Sequence, residues 1–253
     1  MKKIKYNNND AYGGEMQGNL RHGKGIYIHA NGNKYQGYWH EGRKHGKGIF
    51  TFADGSVYKG MWKDDDMNGK GTYTFANGGI YDGNFKNGKQ HGMGMHRFTN
   101  GESYQGDWKN GLPHGRGRYI YKNGNRYEGD WVEGMKSGRG TYIYALGDKY
   151  DGHWENDLRH GKGVLMYRSG GGYEGAWSND MWNGLGTHQQ ANGEKYYGDW
   201  KNGKRHGKGY LFYYDGARWE GAFVDDKQNG KGLYIAADGS RENREYVNGE
   251  RRT

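Results

Sequence analysis

A period of 23 residues runs through this chain without one insertion. The segment YQGYWHEGRKHGKGIFTFADG, starting at Tyr35, returns as YKGMWKDDDMNGKGTYTFANG, starting at Tyr58. With that tyrosine as position 1, the anchor recurs at Tyr12, Tyr35, Tyr58, Tyr81, Tyr104, Tyr127, Tyr150, Tyr173, Tyr196 and Trp219. Positions 3, 12, 14 and 21 are glycine in all ten repeats, and position 5 is aromatic in nine, with Met16 the exception. Residues 1–11 fit a second half-repeat and residues 242–253 a first half-repeat. A repeat of this length is one supersecondary unit that buries its apolar face only against its neighbours. The chain therefore reads as a single domain, 1–253, with ten full repeats spanning 12–241 between the two half-repeats.

Within a repeat, Y-x-G-x-W and G-x-G-x-Y-x-F both alternate with a period of two, which predicts two strands, each with one special face. Between them, a stretch such as Asn202-Gly203-Lys204-Arg205 reads as a four-residue hairpin loop. The A-N-G or A-D-G segment before the next anchor reads as a type I turn closed by a left-handed glycine. These loop lengths predict that position 5 faces 12, 3 faces 14 and 1 faces 16 across both connections. One row is then aromatic on aromatic, one glycine on glycine, and one indole beside glycine. The representative structural set is Tyr35, Gly37, Trp39, Gly46, Gly48 and Gly55 in one repeat, with Tyr104, Gly106, Trp108, Gly115 and Gly117 in another. Glycine inside a strand costs ~0.5–1 kcal/mol, and is expected here because a side chain would lift the ring off the sheet. No stretch shows a helical period. The expected fold is all-β: a single-layer, elongated, twisted antiparallel ribbon of hairpin repeats, open and solenoid-like, on the order of 100 Å long.

The pattern Y-x-G-x-W-x-x-G-x-x-x-G-x-G-x-Y-x-x-x-x-G resembles the MORN (membrane occupation and recognition nexus) repeat family, and the resemblance covers the whole chain. It implies the same single-layer β ribbon. Arrays of this family occur as arms of enzymes, in membrane-junction proteins, in ciliary radial-spoke heads and in cytoskeletal scaffolds. With no room seen for an attached enzyme domain or a membrane tail, the resemblance points to the stand-alone, scaffold-like members.

Composition narrows the chemistry. The chain has no cysteine, which removes disulfides, thiolate metal sites and thiol nucleophiles. The first ten residues lack an apolar signal-peptide core, and no apolar run is long enough to span a bilayer. An intracellular protein of the cytoplasm or cytoskeleton is expected, with the cilium or flagellar axoneme a specific setting and the membrane periphery the alternative. Only 32% of residues are hydrophobic, yet 24 Tyr and 9 Trp argue against disorder. GNLRHGKG, from Gly18, imitates a phosphate loop, but glycine stands where the magnesium-binding hydroxyl belongs, and the segment lies in a hairpin. His-Gly recurs at positions 11–12, but equivalent atoms in successive repeats lie ~10 Å apart, too far to share a metal, so these histidines read as hydrogen-bonding turn residues. No catalytic residue, cofactor or metal is expected, and no nucleic acid, because the aromatics alternate with glycine and serve the sheet.

Two rows remain as binding candidates. Net charge is +9. Position 13 is basic in eight of ten repeats, but faces position-4 acids, which predicts the pairs Glu15–Lys24, Asp107–Arg116, Asp130–Arg139 and Asp199–Lys208. Position 10 shows no such partner, which makes Arg21, Lys44, Arg159 and Arg205 the anion-binding candidates, for instance toward phosphoinositides. Positions 9 and 10 should be wet, yet hold Leu112, Met135, Leu158, Met181 and Trp182. Repeat eight is the most aberrant, with Asp180 for the usual glycine and Leu185 at the basic position. These residues are the protein-binding candidates of a non-enzymatic scaffold or adaptor, its partners being cytoskeletal or ciliary proteins. The alternative is a peripheral protein on anionic lipid. Unpaired edges at the two terminal strands also leave a homodimer open.

Overall fold

The computed structural model describes residues 2–252. They form 23 strands and no helix in an antiparallel sheet that does not close on itself, and within each compact unit sequential strands are neighbours. Every full repeat is one seven-residue and one nine-residue strand, as in Ser103–Lys109 and Leu112–Ile120. The strands group into two compact units, one of Met1–Lys122 with Trp131–Gly134, the other of Asn123–Asp130 with Met135–Thr253.

Both units are built on the same buried row. The position-1 tyrosines Tyr35, Tyr58, Tyr81 and Tyr104 of the first unit, and Tyr127 and Tyr150 of the second, are 0% exposed. Each phenol lies along its own repeat and donates to the position-4 carbonyl, as Tyr35 does to Tyr38 O (2.9 Å) and Tyr150 to His153 O (3.0 Å). The next indole meets it edge-on: Tyr35 and Trp62 are 5.3 Å apart at 80°, Tyr150 and Trp177 5.2 Å at 81°. That geometry matches the aromatic quadrupole. Burial disfavours the charged phenolate, so Tyr58 is pushed up to about 12.

The glycines at positions 3 and 14 are required by contact. A Cβ on Gly48 would stand 2.4 Å from the Tyr35 hydroxyl, and one on Gly37 would stand 2.5 Å from Gly48 Cα. The ring over the bare backbone is thus the phenol of the same repeat, where the sequence pattern suggested the indole.

The connection between repeats matches the expected register. Gly138 pairs with Trp154, Gly140 with Gly152 and Tyr142 with Tyr150. Tyr144 O accepts from Gly147 N (2.9 Å), and Tyr144 N donates to Asp148 O (2.9 Å), closing the three-residue loop around a left-handed glycine.

The connection inside a repeat corrects the expectation. The loop has two residues, not four: Asn110 and Gly111 have φ of +53° and +88°. Two left-handed residues make the primed turn whose twist suits a hairpin. The strand therefore restarts two residues early, and a bulge absorbs the excess. Gly106 faces Gly117, but Trp108 faces Pro113 rather than Gly115. Gly115, in the bulge, takes φ +63°, and a Cβ there would lie 2.8 Å from an Asp107 carboxylate oxygen. The position-12 glycines, Gly46 among them at φ +65°, are thus kept for backbone conformation.

Candidate functional site

The bulge decides where the position-10 cations go. It turns them onto the aromatic face, into a slot between their own repeat's rings and the next position-5 ring. In the first unit, the Arg21 guanidinium lies 4.2 Å from the Trp39 ring and the Lys44 ammonium 4.4 Å from Trp62. In the second, Lys136 lies 4.6 Å from Trp154, Arg159 4.3 Å from Trp177 and Arg205 5.4 Å from Phe223. Burial pulls Lys44 and Lys136 below the usual lysine range, partly offset by nearby aspartates.

The expectation that these cations lack carboxylate partners fails, because the partner comes from the next repeat. The Arg159 Nε donates to Asp180 Oδ1 (2.8 Å) and Arg205 to Asp226 Oδ1 (3.4 Å), while the Lys44 backbone N–H donates to Asp65 Oδ1 (2.8 Å). Lys136 Nζ stands 3.9 Å from Asp157. Arg21 faces Gly42 and bonds its carbonyl instead (2.7 Å). Asp180, apparently an aberration of repeat eight, is the counter-ion of Arg159. The sequence carries the signal: Asp65, Asp157, Asp180 and Asp226 each follow a position-10 cation by 21 residues. Where position 10 is Met67, Gln90, Pro113, Trp182 or Gln228, glycine stands there instead.

The position-4 acids also accept from backbone amides, a role the sequence reading did not include. Glu15 accepts from the Lys24 backbone N–H (3.2 Å), Asp107 from Arg116 N (3.1 Å), Asp130 from Arg139 N (3.0 Å) and Asp199 from Lys208 N (3.1 Å). They cap amides freed by the bulge. The ammonium groups of Lys24 and Lys208 are left facing outward.

Trp182 occupies the cation slot of repeat eight. It stacks flat on Tyr173 (4.3 Å, 6°) and edge-on to Trp200 (4.8 Å, 85°). Leu112, in the first unit, and Met135, Leu158 and Met181, in the second, are exposed where their strands begin. Leu185, 53% exposed, lies apart from that row on the face opposite the rings. The histidines of position 11 are not the hydrogen-bonded turn residues expected: Nδ1 of His22, His45, His91, His160 and His206 is shielded from solvent and makes no hydrogen bond, while those of His45, His160 and His206 lie 3.5–3.9 Å from a carboxylate. Among the described residues, no three His, Asp or Glu side chains converge as a metal site.

The face opposite the rings carries positions 2, 4, 13 and 15, and each compact unit has a groove there. In the first unit it encloses about 960 Å³ over repeats one to three. One wall alternates Lys24, Tyr38, Lys47, Met61 and Lys70, the other carries Ile26, Gln36, Ile49 and Lys59, and the floor is the backbone of Gly25, Gly37, Gly48 and Gly60. Tyr38 is 43% exposed, and Ile49 and Met61 are 37% exposed. The groove of the second unit encloses about 850 Å³ and mixes Arg139 and Lys162 with Asp151, Glu174, Val164 and Leu185. Of the residues lining these grooves, sequence reasoning singled out Leu185, the position-13 cations and the floor glycines Gly37 and Gly48.

Ten consecutive segments of the chain, from 12–34 to 219–241, match the family described as MORN repeat, in the frame set by the tyrosine anchors. No curated protein matches. Among solved structures, the TCP10 domain of Danio rerio CPAP in complex with a peptide of STIL is 13% identical, covers 93% of this chain and 99% of that one, and has a TM-score of 0.44. The SAS-4 (dCPAP) TCP domain of Drosophila melanogaster, in complex with a proline-rich motif of Ana2, is 11% identical, covers 67% and 85%, and has a TM-score of 0.37. These likenesses are loose and extend to general β architecture alone.

Proposed function

The chain belongs to the MORN repeat family, and we propose that it serves as a scaffold or adaptor that holds protein partners on the sheet face opposite its rings. A MORN array is a repeat fold without enzymatic chemistry of its own. The observation that carries the proposal is the division of labour between the faces. One face spends its aromatics and position-10 cations on internal packing. The other leaves Tyr38, Ile49, Met61, Met93, Leu185 and Tyr210 at 37–56% exposure. Apolar side chains exposed in a row are the usual mark of an interaction surface. The cytoskeletal or ciliary setting is part of the proposal and rests on the resemblance to the MORN repeat family alone. Proximity labelling of the tagged chain in its own cell, with a Met61→Asp/Leu185→Asp variant beside the wild type, tests both parts. Cytoskeletal or ciliary proteins enriched by the wild type and lost from the variant are expected. No enrichment over an untagged control, or enrichment identical in the two, would remove the proposal.

Anionic lipid is a second reading, supported by the outward lysines of repeats one to three. The position-10 cations now weigh less in it, because they are already held by rings and aspartates. Flotation with phosphoinositide vesicles, compared with neutral ones, tests it; equal recovery would end it.

A further inference from the structure

We propose that the groove of repeats one to three docks an extended acidic segment of a partner protein, with carboxylates three residues apart and apolar side chains between them. This rests on the scaffold reading and names the chemistry of one partner surface.

Charge is the first argument. Lys24, Lys47, Lys59 and Lys70 all border the groove, and no carboxylate lines it. Among the described residues none of the four is in an ion pair; the one contact of their ammonium groups is that of Lys24 with the Tyr38 ring, at 5.7 Å. This contrasts with the position-10 cations Arg159 and Arg205, which have built-in aspartates. Four cations held about one groove raise the local concentration of an anionic ligand and favour its carboxylates.

Spacing is the second. Lys24 pairs across the sheet with Tyr38, and Lys47 with Met61, so a lysine recurs every second strand along one wall. Two strand spacings are ~9.6 Å. Three residues of an extended polyproline II chain cover ~9 Å and return the side chain to the same face, which a β-strand with its period of two does not do. A segment lying across the strands can therefore set one carboxylate at each of Lys24, Lys47 and Lys70. The other wall pairs Ile26 with Gln36 and Ile49 with Lys59, offering apolar contact to the residues between. From Gly13 to Lys70 the groove crosses six strands, ~24 Å, or roughly seven extended residues.

The limits of the positive region argue for a short peptide over a bilayer. Beyond Lys70 the same face carries Asp82, with Asn84 and Gln105 beside it. A flat anionic membrane would meet that aspartate as well as the lysines, whereas a short segment stops before it.

The test uses the full chain and a fluorescent peptide of four Glu-Leu-Ser triplets, read by anisotropy at low and high salt. A peptide of the same composition with its glutamates clustered, and vesicles rich in phosphatidylserine, are the comparison probes. Saturable binding that weakens with salt, prefers the spaced peptide, and falls about tenfold or more in Lys47→Glu/Lys70→Glu supports the proposal. Lys162→Glu, in the other unit, is expected to stay within about twofold of wild type. Equal binding of the two peptides, loss in the Lys162→Glu control alone, binding of vesicles but not peptide, or self-association of the chain in place of peptide binding would each overturn it. Should the double variant not fold, amine-labelling of the wild type decides: the spaced peptide must protect Lys24, Lys47 and Lys70 more than Lys162. If the peptide fails while proximity labelling still yields partners lost from the Met61→Asp/Leu185→Asp variant, this proposal falls and the scaffold stands.

Discussion

The two compact units present the same face with opposite electrostatic habits. The groove of repeats one to three is bordered by four lysines and no acid. Its counterpart in the second unit is largely self-neutralised: Asp151 stands 3.5 Å from Lys149 and accepts from the Thr141 hydroxyl (2.9 Å), with Glu174 nearby. The backbone frame, the buried tyrosines and the bulges are shared. A repeat therefore dictates which positions face outward and leaves their chemistry free, so that one architecture can carry dissimilar surfaces.

That contrast can be broken or sharpened by experiment. The largest effect should be alkaline unfolding of both units. Tyr58 is raised to about 12, and Tyr150 and Tyr173 are raised more strongly by the same burial. An unfolded phenol ionises near its ordinary value of ~10. The folded state keeps its full stability below that value and loses it as pH climbs through the raised one. Tyrosinate absorbance and strand circular dichroism should change together between about pH 10 and 12. Ionisation well below the loss of strand signal would contradict the buried rows.

Next in size is truncation of that row. Tyr58→Ala and Tyr150→Ala should each cost about 3–5 kcal/mol in denaturant unfolding, alike in the two units. Gly48→Ala and Gly163→Ala come third, since a Cβ on either would meet the ring and hydroxyl of the overlying tyrosine at 2.3–2.6 Å. About 1–3 kcal/mol each is expected, and a harmless alanine would remove the stated reason for the glycine.

A smaller pair of changes swaps the habits of the position-10 cations. Asp180→Gly takes the counter-ion from Arg159, and Gly42→Asp offers one to Arg21. A loss and a gain of up to about 1 kcal/mol, each shrinking with salt, are expected; the same sign for both would refute the pairing. Least of all, Lys47→Glu/Lys70→Glu should change stability by no more than about 0.5 kcal/mol, because neither ammonium is engaged within the chain. A large loss would mean that these lysines hold the sheet together, and that the units differ in construction as well as in surface.

Much of this was legible in the residues. Tyr35, Gly37, Gly48 and Tyr58 announce period-two strands with glycine under a ring, because that pattern reflects contacts between chain neighbours. The Ala30-Asn31-Gly32 loop announces its own turn, so the register between repeats followed directly. Inside each repeat the same reasoning failed. Asn110-Gly111 turns the chain in two residues, and the surplus is stored at His114-Gly115, a choice between loop and bulge that local composition leaves undecided. The bulge takes up two residues, so position 10 leaves the expected loop and joins the strand opposite position 5. That is why Arg21, Lys44, Arg159 and Arg205 looked available for anions when read as loop residues, and are found against Trp39, Trp62, Trp177 and Phe223. Asp180 likewise looked like drift, because its partner lies 21 residues away in sequence.

The sequence by itself determined the number of repeats, the all-β class and the buried row, since a strict period written in tyrosine and glycine admits few ways to bury its rings. Only the tertiary structure decided which cations are consumed by the sheet and which line an open groove. That difference hangs on side-chain direction after a bulge and on contacts between successive repeats, neither of which is encoded within any one of them.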